Sequence, residues 1–344
     1  MRIGLVARSD NTGLGNQTRE LAKMLNPEKI LLIDSTSFNN NKQHPEWYSE
    51  YNSVVTTHGF PTNNHVENFL KGLDVVISCE TFYNAAFLEL ASRSGVKTIL
   101  QYNYEFLEFL QKQHRRLPTY LLAPSEWNLD NVVRLFGKKT NVIHLPPPTN
   151  KDLFNNAKQI NLSKTHNRML HVAGKAASKD RNGTATVLEM LKYSKAGYEL
   201  VITSQTPIDY PYSDSRVTIS HDNPEARESL YEGYDAMILP RRYAGLCLPM
   251  NEALLSGLPV FMTDISPNNK VLPAEWLAKS NKIDELMTRT MLDVYSADPE
   301  DLARIVDNYF NNKDKINIKS QAFNIGLKNF DTETLRPRYL DILG

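Results

Sequence analysis

Leu239 to Val260 reads LPRRYAGLCLPMNEALLSGLPV, and the fold class follows from how this stretch is punctuated. An apolar run, Asp235 to Leu239, stops at Pro240 and gives way to a Gly-containing turn. A helical segment opens near Pro249 and ends at Gly257, ahead of a second apolar run, Leu258 to Met262. Strand, turn, short helix and strand in that order form a unit of an open α/β sheet. In such sheets ligands bind in the crevice beyond the carboxyl ends of the strands, and a helix N-terminus there offers unpaired N–H groups to an anion such as a diphosphate. Glu252 falls in the first turn of the helix, where a carboxylate can accept two adjacent hydroxyls such as those of a ribose.

Composition sets the frame. Over 344 residues, 41% hydrophobic and 23% charged content suits a globular chain with two ordinary cores, so two domains are expected. Lys plus Arg (39) equals Asp plus Glu (39), which removes any global pull toward nucleic acid or membrane and leaves that to local patches. Such patches are KQHRR, Lys112 to Arg116, and Lys138-Lys139 beside Arg134. Cys79 and Cys247 lie far apart without metal spacing, which fits a reducing cytosol, and no metal site is expected. The opening MRIGLVARSDNTG is broken by charge and glycine too early for a signal peptide, and nowhere do about 18 apolar residues run together. A soluble, cytoplasmic protein with no stable membrane insertion is the expectation.

Working outward, the chain alternates as βα units do. Arg2 to Ala7 is a buried-type strand, and the loop SDNTGLGNQ leads into a helix from about Asn16 to Leu25. Gly13, Gly15, Asn16 and Gln17 are candidates for contact with a ligand there, although a glycine in such a turn also serves simply to permit it. Strands follow at Lys29 to Ile33, Ser53 to Thr57, Asp74 to Ser78, Lys97 to Tyr102, Tyr120 to Ala123 and Asn141 to Leu145, with helices at Thr62 to Leu70, Phe82 to Ser92 and up to Phe136. The polar residues just past these strands are His58, Glu80, Asn103, Glu105, Ser125 and Glu126, each equally able to be a cap or a surface group. Glu80 ranks first and His58 second as cleft-facing catalytic groups. Leu145-Pro-Pro-Pro-Thr149 is a stiff connector and the natural boundary between a domain of residues 1–148 and one of residues 149–330.

The second series begins at Arg168 to Ala173 and runs into GKAASKDRNGT, residues 174–184, before a helix to about Lys195. Lys175, Lys179 and Arg181 are cations on a loop between strand and helix, apt to neutralise a leaving diphosphate. Glu199 to Ser204 and Arg216 to Ser220 read as strands and Pro224 to Tyr231 as a helix. Helices at Pro299 to Phe310 and Ile316 to Lys328 close the domain, and a last one, Asp331 to Leu343, is expected to cross back onto the first, as residues 331–344.

These segments together resemble GT-B fold glycosyltransferases, in particular the retaining group called family 4, whose signature is E-x-F-G-L-P-x-x-E-A closing on small-Gly-x-Pro-Val. Gly245, Leu248, Pro249, Glu252, Ala253, Gly257, Pro259 and Val260 match it. Ala244 stands at the first Glu and Leu246-Cys247 at the Phe-Gly pair. The resemblance implies two Rossmann-like doubly wound domains facing a central cleft, with a nucleoside diphosphate sugar as donor substrate and no cofactor. It gives Glu252 the ribose, and Lys175 and Arg181 the diphosphate, with Lys179 as competitor. Backbone at Gly245, Leu246, Cys247 and Leu248 takes phosphate, and Ser204 lies near the base. Gly13, Gly15, Asn16, Gln17, Asn103 and Glu105 fall on the acceptor side, with Gly15, His58 and Glu80 closest to the chemistry. The compact length and the form GLCLPMNEAL also resemble bacteriophage-encoded glycosyltransferases, some of which glycosylate modified bases in DNA. Duplex DNA is thus one acceptor; a glycan, lipid or protein is the alternative. A non-catalytic nucleotide-sugar or DNA binding protein is the rival that Ala244 keeps open, and a GT-B epimerase or phosphorylase is a more distant one.

Overall fold

Apolar runs with no polar face, such as ILLI at 30–33 and VVIS at 75–78, can be hidden only in a sheet covered on both sides, and there the fold puts them. The computed structural model describes residues 1–344 apart from 38, 39, 52, 108–115, 175–179, 212, 222, 223, 225 and 244. Strands β1 (Ile3–Arg8), β2 (Lys29–Asp34), β3 (Val54–His58), β4 (Val75–Cys79), β5 (Lys97–Gln101), β6 (Tyr120–Ala123) and β7 (Asn141–His144) make one sheet in the order β3-β2-β1-β4-β5-β6-β7. Every pairing in it is parallel. Helices α1 (Gly13–Leu25), α2 (Asn63–Leu70), α3 (Phe87–Arg93) and α4 (Leu129–Phe136) belong with it.

The second sheet is also parallel, in the order β10-β9-β8-β11-β12-β13. In chain order its elements are α5 (Asn155–Ser163), β8 (Arg168–Gly174), α6 (Thr184–Met190), β9 (Glu199–Ser204), β10 (Val217–Ser220), β11 (Ala236–Ile238), α7 (Leu248–Leu255), β12 (Val260–Thr263), α8 (Asn268–Val271) and β13 (Leu277–Ala278). A hairpin, β14 (Ser280–Met287) and β15 (Met291–Ala297), follows, then α9 (Pro299–Phe310), α10 (Lys315–Phe330) and α11 (Thr332–Leu343). The chain divides into a first unit, Met1–Thr149 with Thr288–Thr290 and Thr332–Gly344, and a second, Asn150–Met287 with Met291–Asp331. Each has its own core: Leu5, Ile30, Ile77 and Ile99 in the first, and Met169, Leu200, Met237, Val260 and Phe261 in the second. The last helix packs Leu335, Tyr339 and Leu343 into the first core, where the Tyr339 hydroxyl donates to Pro146 O at 2.9 Å.

Several elements differ from the sequence reading, each for a local reason. Helix α1 starts at Gly13 rather than near Asn16, because Thr12 caps it by accepting from Gly15 N, so both glycines lie in its first turn. The helix expected from Phe82 begins only at Phe87, since Tyr83 takes a left-handed φ of 58° and Asn84 accepts from Ala86 N. The segment at 224–231 is a 3-10 turn at Arg227–Tyr231, and the helix expected to reach Lys195 ends at Met190. The hairpin at 280–297 was unforeseen: β15 alternates, with Leu292 and Val294 buried, but β14 is exposed along most of its length and carries Ile283 and Met287 at its surface, so only one of the two strands shows an apolar face.

Candidate functional site

Each sheet reverses its winding once, between β1 and β4 in the first unit and between β8 and β11 in the second. In doubly wound sheets ligands settle beyond the carboxyl ends of the strands at such a reversal.

In the second unit, β8 ends at Gly174, whose φ is +64°, and Lys175 and Lys179 lie outside the described residues. The chain returns at Asp180, whose buried carboxylate accepts from Thr184 N at 2.7 Å and Ala185 N at 3.0 Å. The N-terminus of α6 is thus occupied by an internal anion, which leaves phosphate capture on this loop to side chains. Gly183 is left-handed, and a Cβ there would meet Pro240 O at 2.3 Å. Only glycine lets this loop lie against the loop after β11. Arg242 N donates to Arg181 O at 3.0 Å, and the Arg181 guanidinium packs over the Tyr243 ring at 5.4 Å. Arg241, buried, donates to Leu246 O at 2.7 Å and so fixes the turn holding Gly245, Leu246 and Cys247. Ala244 lies outside the described residues.

Helix α7 begins at Leu248 with Pro249 in its first turn, and no side chain caps it. Among the described residues, its positive end has no internal counterpart to Asp180. Glu252, 7% exposed, accepts from the Tyr231 hydroxyl at 2.6 Å and pairs with Arg227 at 3.2 Å. Burial and the adjacent Glu252 carboxylate push the Tyr231 phenol well above its usual pKa, so it remains a donor. His171, fully buried on β8, bonds Ile238 O and the Thr184 hydroxyl, and burial lowers its pKa; it ties the two strands and α6 together. Ser204, buried, gives its hydroxyl to Thr206 O at 2.6 Å.

In the first unit, Arg8 ends β1 and pairs with the fully buried Asp10, which also accepts from Thr12 and Asn41. A Cβ on Gly15 would lie 1.9 Å from Asp10 O, so the glycine is required by close backbone approach. Glu80 follows β4 with a φ of 65°, and Tyr83 is left-handed as well. Left-handed Glu and Tyr residues cost about 1 kcal/mol or more each, and such strain clusters at functional sites. Asn103 Nδ2 donates to Glu80 Oε2 at 3.3 Å. Burial, reinforced by Glu105 and opposed by Arg8, raises the Glu80 pKa.

The other first-unit candidates are spread. His58 is 95% exposed in its side chain, pairs with Asp34, and ends β3, three strands from β4 and so roughly 14 Å away. Gln17 is buried and bonds Gln101, which continues to Tyr339 and Leu145 O; it belongs to a core network. Asn16 is half-buried and bonds Asn11, and Gly13 is exposed. The fold therefore gathers Glu80, Asn103 and Glu105 with Arg8 and Tyr83 in the first unit; in the second it joins the Arg181 loop and Arg241 to the turn at Gly245 to Leu248, and it sets Glu252 of the following helix against Arg227 and Tyr231. Sequence reasoning missed Arg8, Tyr83, Arg227, Tyr231 and Arg241. The readable signal was a lone Arg closing an apolar strand, and the Arg241-Arg242 pair directly after Pro240.

No protein-family model and no curated protein matches the chain. Solved structures do. HepE (Alr3699) of Anabaena, in complex with UDP and glucose, aligns over 100% of this chain and 99% of its own at 12% identity and a TM-score of 0.69. The fold is that of GT-B glycosyltransferases. Sucrose-phosphate synthase of Thermosynechococcus elongatus aligns over 99% of this chain and 98% of its own at 12% identity and a TM-score of 0.68. A glycosyltransferase of Rickettsia africae does so over 99% and 97% at 13% identity and 0.66. Among the described residues, no helix is long and apolar enough to cross a membrane.

Proposed function

We propose that this GT-B chain transfers a sugar from a nucleoside diphosphate sugar to an acceptor hydroxyl, with retention and without a metal ion. The observation that supports this reading most is that, at the β8/β11 reversal, the Arg181 loop bonds the loop after β11, which runs directly into the start of α7, the helix that carries Glu252. Cation, helix N-terminus and carboxylate are what diphosphate and ribose require. Arg181, with Lys175 and Lys179, grips the diphosphate, the N–H groups of Gly245 to Leu248 take a phosphate oxygen, Glu252 takes the ribose, and Ser204 borders the base pocket. The acceptor oxygen attacks the sugar on the face the diphosphate leaves, the glycosidic bond to phosphate breaks, and the acceptor proton passes to the departing phosphate oxygen. The protein supplies alignment and charge stabilisation. The acceptor sits at the β1/β4 reversal, where Glu80, aligned by Asn103 and bordered by Gly13, Gly15 and Glu105, holds its hydroxyl. His58 ends the edge strand β3, and the loop after it packs Phe60 on Tyr83 and bonds Pro61 O to Asn84, next to Glu80.

For the acceptor we favour a hydroxyl on a modified base in duplex DNA, as in the phage-encoded enzymes this chain resembles. Such a base must leave the stack to react. The support for it is that resemblance: Lys97, Arg116 and Lys139 line one cavity of about 480 Å³ on the first unit, but it lies at the amino ends of β5, β6 and β7, the opposite end of the sheet from Glu80, and there Arg116 pairs with Glu89 and Lys97 donates to Gly344 O. Lys112 to Arg115 of the same basic stretch lie outside the described residues.

The test is incubation with UDP-glucose and a panel of other nucleoside diphosphate sugars, first alone and then with duplex DNA carrying ordinary or hydroxymethylated bases, read by mass spectrometry. Sugar mass on the DNA supports the whole reading. Donor hydrolysis without DNA modification keeps the transferase and rejects the acceptor. Neither turnover nor binding of any donor rejects the enzyme in favour of a binding protein.

A further inference from the structure

Glu252 is held from one short segment of chain. The 3-10 turn Arg227–Tyr231 brings Arg227 to Oε1 and the Tyr231 hydroxyl to Oε2, so each carboxylate oxygen is fixed by a different donor. The turn is itself anchored. Asn161 Nδ2 donates to Tyr231 O and Ser256 O, both at 2.9 Å, and Asn161 Oδ1 accepts from Gly233 N and Tyr234 N. One buried amide thus joins the end of the turn to the C-terminal end of α7. The Tyr231 ring is 1% exposed and packs edge-on against Phe154.

A phenylalanine would fill the same volume, and a carboxylate this deep needs a partner for its charge, which Arg227 provides. What the phenol adds is direction. A hydrogen bond to a charged acceptor from a ring that cannot move sets the plane of the carboxylate. Each carboxylate oxygen carries two lone pairs, so an oxygen already bonded to protein can still accept from a ligand. We propose that Tyr231 is a positioning residue for nucleotide selection: it aims the Glu252 carboxylate so that the enzyme prefers a nucleotide bearing the vicinal 2′,3′-diol. This rests on the proposed ribose role of Glu252.

The test measures dissociation constants of UDP, GDP and ADP for the full chain, takes the tightest, and compares it with its 2′,3′-dideoxy counterpart. The same pair is then measured on Tyr231→Phe and Glu252→Gln, with melting temperatures recorded. The native chain should favour the diol by roughly ten- to a hundredfold, the value of hydrogen bonds to a charged group. Tyr231→Phe should lower that preference to within about threefold of unity while affinity for the dideoxy nucleotide changes little; Glu252→Gln should do the same. If Tyr231→Phe weakens both nucleotides equally, or leaves the preference intact while Glu252→Gln abolishes it, the hydroxyl is merely structural and the proposal fails alone. If the native chain shows no diol preference, or Glu252→Gln retains it, the ribose role fails and the proposal falls with it. Binding of none of the three nucleotides overturns both.

Discussion

The reversal between β1 and β4 and the one between β8 and β11 share a topology and differ in charge. At the first, Arg8 stands between the carboxylates of Asp10 and Glu80, Glu105 lies near Glu80, and the backbone is strained at Glu80 and Tyr83. At the second, Arg241 fixes the turn that leads into a helix with no side-chain cap, Arg181 packs on Tyr243 just before that turn, and the buried carboxylates Asp180 and Glu252 are each bound by donors of the protein. The scaffold supplies a crevice in both places; the residues in the first positions past each strand decide what it receives. An anion is suited to the second and a neutral hydroxyl to the first.

The largest expected effects come from the two glycines that let these loops approach. Gly15→Ala and Gly183→Ala each place a Cβ against a backbone oxygen, at 1.9 and 2.3 Å, and each should cost about 3 kcal/mol in urea unfolding. Only Gly183→Ala should also weaken nucleoside diphosphate binding by the protein that remains folded. Equal loss of binding in both variants would break the assignment of the donor to the second reversal. Next in size, Arg181→Ala should weaken the same nucleotide by roughly tenfold or more, about 1.5 to 3 kcal/mol for charge-assisted bonds, by titration calorimetry. Unchanged affinity would shift the diphosphate to other cations.

A smaller effect sharpens the contrast between the two helices of the second unit. Asp180→Asn keeps the shape of the α6 cap and removes its charge, so stability should fall by about 1 kcal/mol while nucleotide binding, which uses α7, is preserved or strengthened. A large loss of nucleotide affinity would show that the capped helix takes part in binding. The smallest concerns Glu80. Its pKa is raised in the folded chain by burial, so the unfolded chain ionises first as pH rises and the charged form weighs against folding above the ordinary carboxylate range. Glu80→Gln should therefore stabilise the protein by a margin that grows from pH 5 to pH 8, in melting curves across that range. A margin independent of pH would mean that the carboxylate is not desolvated.

The two parallel sheets were legible because buried parallel strands are written as uninterrupted apolar runs, and the residues after them are fixed by chain order alone. Glu80, Asn103 and Glu105 were singled out in this way, as were Arg181 and Glu252. His58 and Gln17 carried the same signal; Gln17 turns into the core and His58 lies exposed at the end of an edge strand. Their strand or helix was read correctly, but strand order, which puts β3 at an edge, and the side-chain direction that sends Gln17 to Gln101 are not local properties. The hairpin at 280–297 was illegible for a similar reason. Leu292, Val294 and Ala297 of β15 are buried, but its partner strand β14 is largely exposed and is held by the cross-strand ladder, which a single-strand pattern does not show.

Local chain chemistry thus determined the βα alternation, the glycines at the turns and the residue types at each strand end, because hydrophobic period and backbone sterics act over a few neighbours. Tertiary structure alone decided that Arg8 and Tyr83 stand with Glu80, that Asp180 closes one helix end while α7 stays uncapped, and that a turn some twenty residues upstream holds Glu252 through Tyr231 and Arg227. Those contacts join residues whose separation in sequence carries no signature, and only the packing of one sheet brings them within hydrogen-bonding distance.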